Sequence, residues 1–279
     1  MTTLSRSMDH ADAEGIQPIA RTTRSRRGAF ARDLVTIARR ALRGALRDPA
    51  AVIPALIVPV FFFAVNVGSL EAVAQAAGTP DYHAFQLPVA IIFAVTGVSR
   101  ANALVADIAS GYFERLLLTP VNRLALLLGL MVADFALVVA LCVPVLALGV
   151  LTGVSFAAGP AGVVVFVLLA ACWGVAFTGF PYAIALRTGS PGAVAASFIL
   201  FFPFAFLTTA YVPKVLLGGW LATAADWNPV TYVLAGLRSL VIDGWDAGAL
   251  AGSVLATAIV AAMSIGLALA ALRSRVRVP

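Results

Sequence analysis

Six stretches of this chain are apolar on every side: residues near 50–68, 84–106, 124–152, 161–186, 193–211 and 247–272. A surface helix of a soluble domain returns a polar face at every turn, and these stretches do not. Each is about 18 residues or longer, the length a helix needs to cross a hydrocarbon core of roughly 30 Å. Because a bilayer offers no water to the edges of an open sheet, the spans are predicted to be helical. Pro54, Pro59, Pro88, Pro144, Pro181 and Pro203 fall inside five of them and predict kinks.

A different periodicity precedes the first span. From Gly28 to Arg47, the positions Phe30, Leu34, Ile37, Ala38, Ala41, Leu42 and Ala45 share one helical face, while Arg32, Arg39, Arg40, Arg43 and Arg47 share the other. This predicts an amphipathic interfacial helix over 28–48, with Phe30 and Leu34 against the apolar layer and Arg39 and Arg43 among the headgroups. Asp48-Pro49 breaks it and turns the chain into the bilayer. Residues 1–27 are expected to be a disordered tail, and their polarity up to Pro49 is unlike a secretory signal. The expected fold is therefore an all-α integral membrane protein, with six transmembrane helices in 49–272 and a basic tail over 273–279.

Composition supports the bilayer as solvent: 61% of residues are hydrophobic and only 11% charged, against about 25% charged in soluble domains. Cys142 and Cys172 lie deep in apolar runs and suggest neither a disulfide framework nor a metal site. Orientation follows from arginine. The first 49 residues hold ten arginines, and Arg273, Arg275 and Arg277 stand at the other end, so both termini are predicted to be cytoplasmic. The segments predicted outside, near 69–83, 153–160 and 212–246, carry only Lys214 and Arg238 against five acids.

Two connections carry chemistry. The cytoplasmic segment 107–123 begins at Asp107, and Glu114 with Arg115 stands among Phe113, Leu116, Leu117 and Leu118. It reads as a short helix started after Gly111 and stopped by Thr119-Pro120, sticky enough to fill a groove on a soluble protein or to lie along the interface as a bent hairpin. The outer segment 212–246 is too apolar for a free loop. It is predicted to form two short re-entrant helices broken at Gly218-Gly219 and at Asn228-Pro229. Trp220, Trp227, Trp245 and Tyr211 fit an outer aromatic belt. Gly244, Gly248, Gly252 and Ala256 place a small residue at every fourth position into the last span, for packing within the subunit or along a dimer seam. Asp134 lies eleven residues past Arg123, about 16 Å into its span, where a carboxylate either faces a pathway or hydrogen-bonds within the bundle. Arg100 is close enough to the inner end of its span to snorkel.

Residues 111–123, Gly-Tyr-Phe-Glu-Arg-Leu-Leu-Leu-Thr-Pro-Val-Asn-Arg, resemble the cytoplasmic coupling segment of type 2 ATP-binding-cassette (ABC) exporter permeases. Residues 228–238, beginning Asn228-Pro229-Val230-Thr231 and ending at Arg238, resemble the motif before the last span of the same family. The likeness covers about residues 28–272, and within the family it is nearest to the daunorubicin-resistance type of drug and lipid exporters. It implies a permease in the bacterial plasma membrane that moves an amphiphilic substrate outward, as a homodimer or beside a related permease. It also implies that ATP and Mg are bound by a separate nucleotide-binding ATPase subunit, with no cofactor, metal or nucleic acid on this chain. In accord with that, a Walker A loop needs Gly-Lys-Ser/Thr, and the only lysine, Lys214, stands in Val-Pro-Lys-Val.

On the resemblance, Gly111, Phe113, Glu114, Arg115, Leu117, Thr119, Pro120 and Arg123 are the ATPase-coupling residues. Phe113, Leu116 and Leu117 would fill the partner's groove while Glu114 and Arg115 set its register. Asp134, Asn228, Pro229 and Arg238 are candidates for a translocation pathway or gate. The competing classes are an ion-coupled secondary transporter or channel, which needs more acids or histidines within the spans, and an intramembrane enzyme, which needs a catalytic constellation that His10 and His83 do not form.

Overall fold

The structure, a computed structural model, describes residues 26–47, 49–76, 81–118, 122–211 and 213–277. Of the tail expected to be disordered over residues 1–27, residues 1–25 lie outside the described residues, while Arg26 and Arg27 already belong to the first turn of α1. In chain order the helices are α1 (Arg26–Leu46), α2 (Pro49–Ala76), α3 (Tyr82–Thr96), α4 (Ala101–Ala109), α5 (Tyr112–Leu117), α6 (Arg123–Leu151), α7 (Gly159–Thr188), α8 (Pro191–Ser197), α9 (Phe201–Phe206), α10 (Gly219–Trp227), α11 (Pro229–Arg238) and α12 (Ala247–Arg277), with no strand among the described residues. The basic tail expected from residue 273 is instead the last turn of α12.

Among the described residues, five helical stretches are long and apolar enough to cross a membrane: Leu56–Ala76, Tyr82–Ala109 (α3 with α4), Leu124–Leu151, Gly159–Thr188 and Ala247–Arg275. The chain is thus an all-α integral membrane protein. The stretch expected as a span over 193–211 is different in kind. It forms α8, a 3-10 turn at Phe198–Leu200 and α9, and ends at Phe206. The 16 helical residues Pro191–Phe206 reach about 24 Å at 1.5 Å per residue. The non-helical chain runs on to Ala210 and Tyr211, whose carbonyls are held by Gln86 and Tyr82 at the start of α3, so the segment still passes from the α5 end of the bundle to the opposite end. Pro203 supplies a reason for the early end of the helix, since its ring opposes the carbonyl four residues earlier, in the 3-10 turn, and it donates no hydrogen bond.

The bundle closes where small residues let helices touch. A Cβ at Gly179 of α7 would fall 2.6 Å from the Ser264 carbonyl oxygen of α12, and one at Gly236 of α11 would fall 2.7 Å from Ser253 Cβ of α12. The small-residue row read from the sequence serves only in part. Gly244 lies before α12 at φ 95°, Gly248 is exposed, and Gly252 and Ala256 alone face the packed side. One core joins α3, α6, α7 and α11 through Ile91, Val138, Trp173 and Leu234. Trp173 Nε1 crosses it to donate to Thr96 Oγ1 at 3.0 Å. A second core, nearer α5, contains Leu104, Phe113, Leu127, Tyr182 and Leu272.

The apolar face expected for α1 is real, but it packs on protein. Ala41 and Ala45 are buried, Phe30, Leu34 and Ile37 half-buried, and Arg39 and Arg43 exposed. Gly129 of α6 admits α1 so closely that a Cβ there would lie 2.9 Å from Ile37 Cβ and 3.1 Å from the Leu34 carbonyl oxygen. By contrast α2 leaves most of itself uncovered, with 17% of its apolar window buried against 61% for each of the next two spans.

The α7–α12 crossing gives a direct test. Gly179→Ala is expected to lower stability by about 1–3 kcal/mol through overpacking, despite the gain in helix propensity. Gly266→Ala, on α12 with nothing within 4 Å of its Cβ position, receives the propensity gain alone and should hold or raise the thermal midpoint. Equal midpoints for the two variants in detergent would contradict the close crossing.

Candidate functional site

The corner between α4 and α6 is made by Gly111, whose φ of 69° puts it in the left-handed region that a side chain resists. It turns the chain from α4 into α5 at once. Phe113 on α5 is 1% exposed and belongs to the core with Leu104, Leu127 and Tyr182. The expectation that Phe113 enters a partner's groove is therefore overturned, because a ring buried in its own subunit anchors α5 instead. The outward face carries Tyr112, Glu114, Arg115 and Leu118, all exposed, with Leu118 at 88%. Of the other predicted coupling residues, Thr119 and Pro120 lie outside the described residues, as do the side chains of Leu117 and Arg123.

Three contacts hold α5 to the bundle. Arg275 of α12 donates to the Leu186 carbonyl at 2.9 Å, pairs with Glu114 at 3.4 Å and stands 5.9 Å from the Phe113 ring centre. Glu114 is thus engaged within its own chain. Asp107 at the end of α4 takes both terminal nitrogens of Arg40 at 2.8 and 2.9 Å, and the Arg40 guanidinium lies 4.2 Å over the Tyr112 ring. The bond to Asp107 raises the Arg40 pKa above its ordinary value. Asp33 of α1 accepts from the Asn122 backbone N–H at 3.3 Å, while the Asn122 side chain caps α6 by accepting from Leu124 N at 2.9 Å.

Deeper, α3 and α4 are separated by a break at residues 97–100. Asp134, fully buried on α6, spans it. Its Oδ1 accepts from the Arg100 backbone N–H at 3.0 Å, and its Oδ2 accepts from the Tyr182 hydroxyl of α7 at 2.6 Å. Both oxygens are engaged by the bundle's own groups, tying α6 to α7 and to the α3–α4 break. Arg100 is drawn in with the break, and its side chain is directed toward Gly44 of α1.

At the opposite end, α10 and α11 are parted at Asn228, as the Asn-Pro signal predicted. Asn228 caps α11 by accepting from Val230 N at 2.9 Å, with Pro229 in the first turn, and its amide donates to the carbonyls of Phe204 and Leu207 at 2.7 and 2.8 Å. Arg238, buried at the end of α11, donates to the carbonyls of Phe85 and Ala210 at 3.1 Å and to Thr209 Oγ1 at 3.2 Å. Its guanidinium sits 3.5 Å over the Phe85 ring. Gln86 donates to the Ala210 carbonyl at 3.1 Å and Tyr82 donates to the Tyr211 carbonyl at 3.2 Å. Asn228 and Arg238 therefore satisfy the non-helical backbone after α9 with their own polar groups. Pro229 instead lines an apolar cavity of about 520 Å³ with Trp173, Phe204, Trp227 and Tyr232.

Sequence reasoning missed Arg40, Tyr82, Gln86, Tyr182 and Arg275 as tie residues. Gln86 had a signal, being an amide inside an apolar span. Arg40 and Asp107 are 67 residues apart and nothing local pairs them. Together these features define a multi-pass helical membrane subunit with a pinned surface helix between its second and third long helical stretches. The family profile of ABC-2 type transporters matches residues 32–242, and the chain belongs to that family. No curated protein matches it. It is accordingly a membrane permease subunit of an ABC exporter, of a kind that is in general not itself catalytic and works with an ATPase subunit.

The role of Asp134 is open to measurement. Asp134→Ala leaves two buried donors unpaired and should cost about 2–5 kcal/mol, whereas Tyr182→Phe removes one bond and should cost about 1 kcal/mol. Thermal midpoints in detergent read both. Unchanged stability of Asp134→Ala accompanied by lost transport would assign Asp134 to the pathway instead.

Proposed function

We propose that this permease exports an amphiphilic drug-like or lipid substrate, driven by a separate ATPase subunit that binds ATP and Mg and grips the outward face of α5. The observation that carries the reading is the two-sidedness of α5. One face is fixed in the bundle by Phe113, and the other presents an exposed leucine beside Arg115 and Glu114. A six-residue helix left free in water would not hold together, and one pinned from behind can receive a push without deforming. Arg115 and Leu118 then make the contact, and Phe113 and Glu114 pass it to α4, α7 and α12. The counts of arginine at the two ends support placing both termini, and α5, in the cytoplasm.

A pair of permease subunits, identical or related, is the assembly we favour. Phe61, Phe62, Ile199, Phe202 and Phe206 are exposed on α2 and on the α8–α9 segment. Phe62 stacks on Phe93, and Phe93 meets Phe206 edge-on. Two such faces opposed would enclose an aromatic, nearly uncharged space suited to the apolar part of an amphiphile. That chemistry is compatible with the likeness to daunorubicin-resistance exporters. Ion coupling is the weaker reading, since it needs a titratable group open to a path, and the one acid buried among the described residues, Asp134, has both oxygens engaged.

Co-expression with a candidate nucleotide-binding ATPase subunit tests the contact. Arg115→Glu with Leu118→Asp should fold normally and cut complex formation about tenfold or more, as loss of a central interface residue does. Substrate-stimulated ATP hydrolysis in proteoliposomes should fall with it. Unchanged complex formation and hydrolysis would sink the role of α5.

A further inference from the structure

Between α1 and α4 lies a cavity of about 430 Å³ whose lining includes Arg40, Arg43, Arg47, Arg100 and Asp107. Its one acid, Asp107, is already held by Arg40 through both oxygens. The side chains of Arg43, Arg47 and Arg100 form no hydrogen bond or ion pair with any described residue, and Arg100 Nε is buried without a partner. A buried donor left unpaired is costly, and neighbouring guanidiniums repel one another until an anion enters. Gly44 makes room for the arrangement, since a Cβ there would lie 3.1 Å from Arg100 Nη2.

We propose that this cavity holds the phosphate of an anionic glycerophospholipid. Arginine forks match phosphate oxygens in pairs, and four arginines line this cavity against one acid in its lining, Asp107, and a second, Asp134, behind Arg100. The position argues for a lipid. Arg47 stands two residues before Pro49, where α2 begins and the chain turns into the bilayer, so the cavity lies at headgroup depth. Ala41 and Leu130 give one wall an apolar surface for the glycerol and the first acyl carbons. The bound phosphate bridges α1 to α4 beside the Arg40–Asp107 pair, making the lipid a further tie between the interfacial helix and the helix that leads into α5.

The full-length chain, equilibrated with mixed micelles of phosphatidylglycerol and phosphatidylcholine, is examined by native mass spectrometry for retained lipid. The wild type should retain phosphatidylglycerol selectively. Arg43→Gln with Arg47→Gln should weaken that retention by about tenfold or more, at roughly fivefold per arginine near the surface. Arg32→Gln with Arg39→Gln removes the same charge from exposed positions of α1 outside the cavity, and should leave it within about twofold. Equal loss in both variants would reduce the effect to general surface attraction and overturn the proposal. So would equal retention of the two lipids by the wild type, which requires no variant to fold. Competition by inorganic phosphate at the concentration of the lipid would make this a free-anion site. Unchanged lipid retention with lost ATPase binding in the Arg43/Arg47 variant would make it a protein contact. The assay uses neither ATP nor transport, so its failure leaves the exporter reading untouched.

Discussion

In a bilayer every backbone N–H and C=O must find a partner inside the protein, and a long unbroken helix meets that demand by itself. Among the described residues three departures stand out, two met by buried polar side chains from distant elements and the third by a cap of its own. The break between α3 and α4 exposes the Arg100 N–H, and Asp134 takes it. The early end of α9 leaves the carbonyls of Phe204, Leu207, Ala210 and Tyr211 to Asn228, Arg238, Gln86 and Tyr82. The gap between α10 and α11 is capped by Asn228 again. Among the described residues the buried charged groups are Asp134 and Arg238, and both compensate irregular backbone. Polarity that first suggests a pathway thus serves the fold.

The same accounting separates the two ends of the bundle. At the α10–α11 end the ties are mostly buried or part-buried bonds from side chain to main chain, which hold α3, α11 and the chain around the end of α9 together. At the α5 end the ties are charged and partly wet: Arg40 with Asp107, Arg275 with Glu114, Asp33 with the Asn122 N–H. Exposed pairs of this kind contribute about 0–1 kcal/mol each, so what fixes α5 is the burial of Phe113, and the pairs set its angle. A surface helix attached in this way keeps its position while neighbouring helices adjust by small amounts, which is what transmission from a partner subunit requires.

How much of this was readable in the sequence follows from the range of each signal. Spans came from composition over about 18 residues, a local property, and five of the six expected appear as long apolar helices. The stretch 193–211 has the right composition, but Pro203 and the 3-10 turn before it stop the helix early, an effect that hydropathy does not register. The α1 face, the turn at Gly111 and the Asn-Pro break were legible because caps and periodicity are local as well. The inward direction of Phe113 was not, for a short helix shows two apolar faces in sequence and only the packed bundle decides which one is covered. Arg40 with Asp107 and Arg275 with Glu114 lie 67 and 161 residues apart, beyond anything a single sequence states.

The interfacial helix is where this difference matters most. Periodicity gives α1 an apolar face and a basic face, and a bilayer surface satisfies both. Packing assigns them differently: Ile37 and Leu34 seat against Gly129 of α6, so the apolar face is spent on protein. The arginines then divide. All are exposed, but Arg40 reaches the α4–α5 corner, Arg43 and Arg47 line the open cavity beside Arg100, and Arg39 does neither. A helix that floated on headgroups would have no reason to distinguish these positions, because any arginine on its polar face would serve equally. Their unequal surroundings follow once α1 is a strut packed on α6 and tied to α4 through Arg40, with α5 at its side.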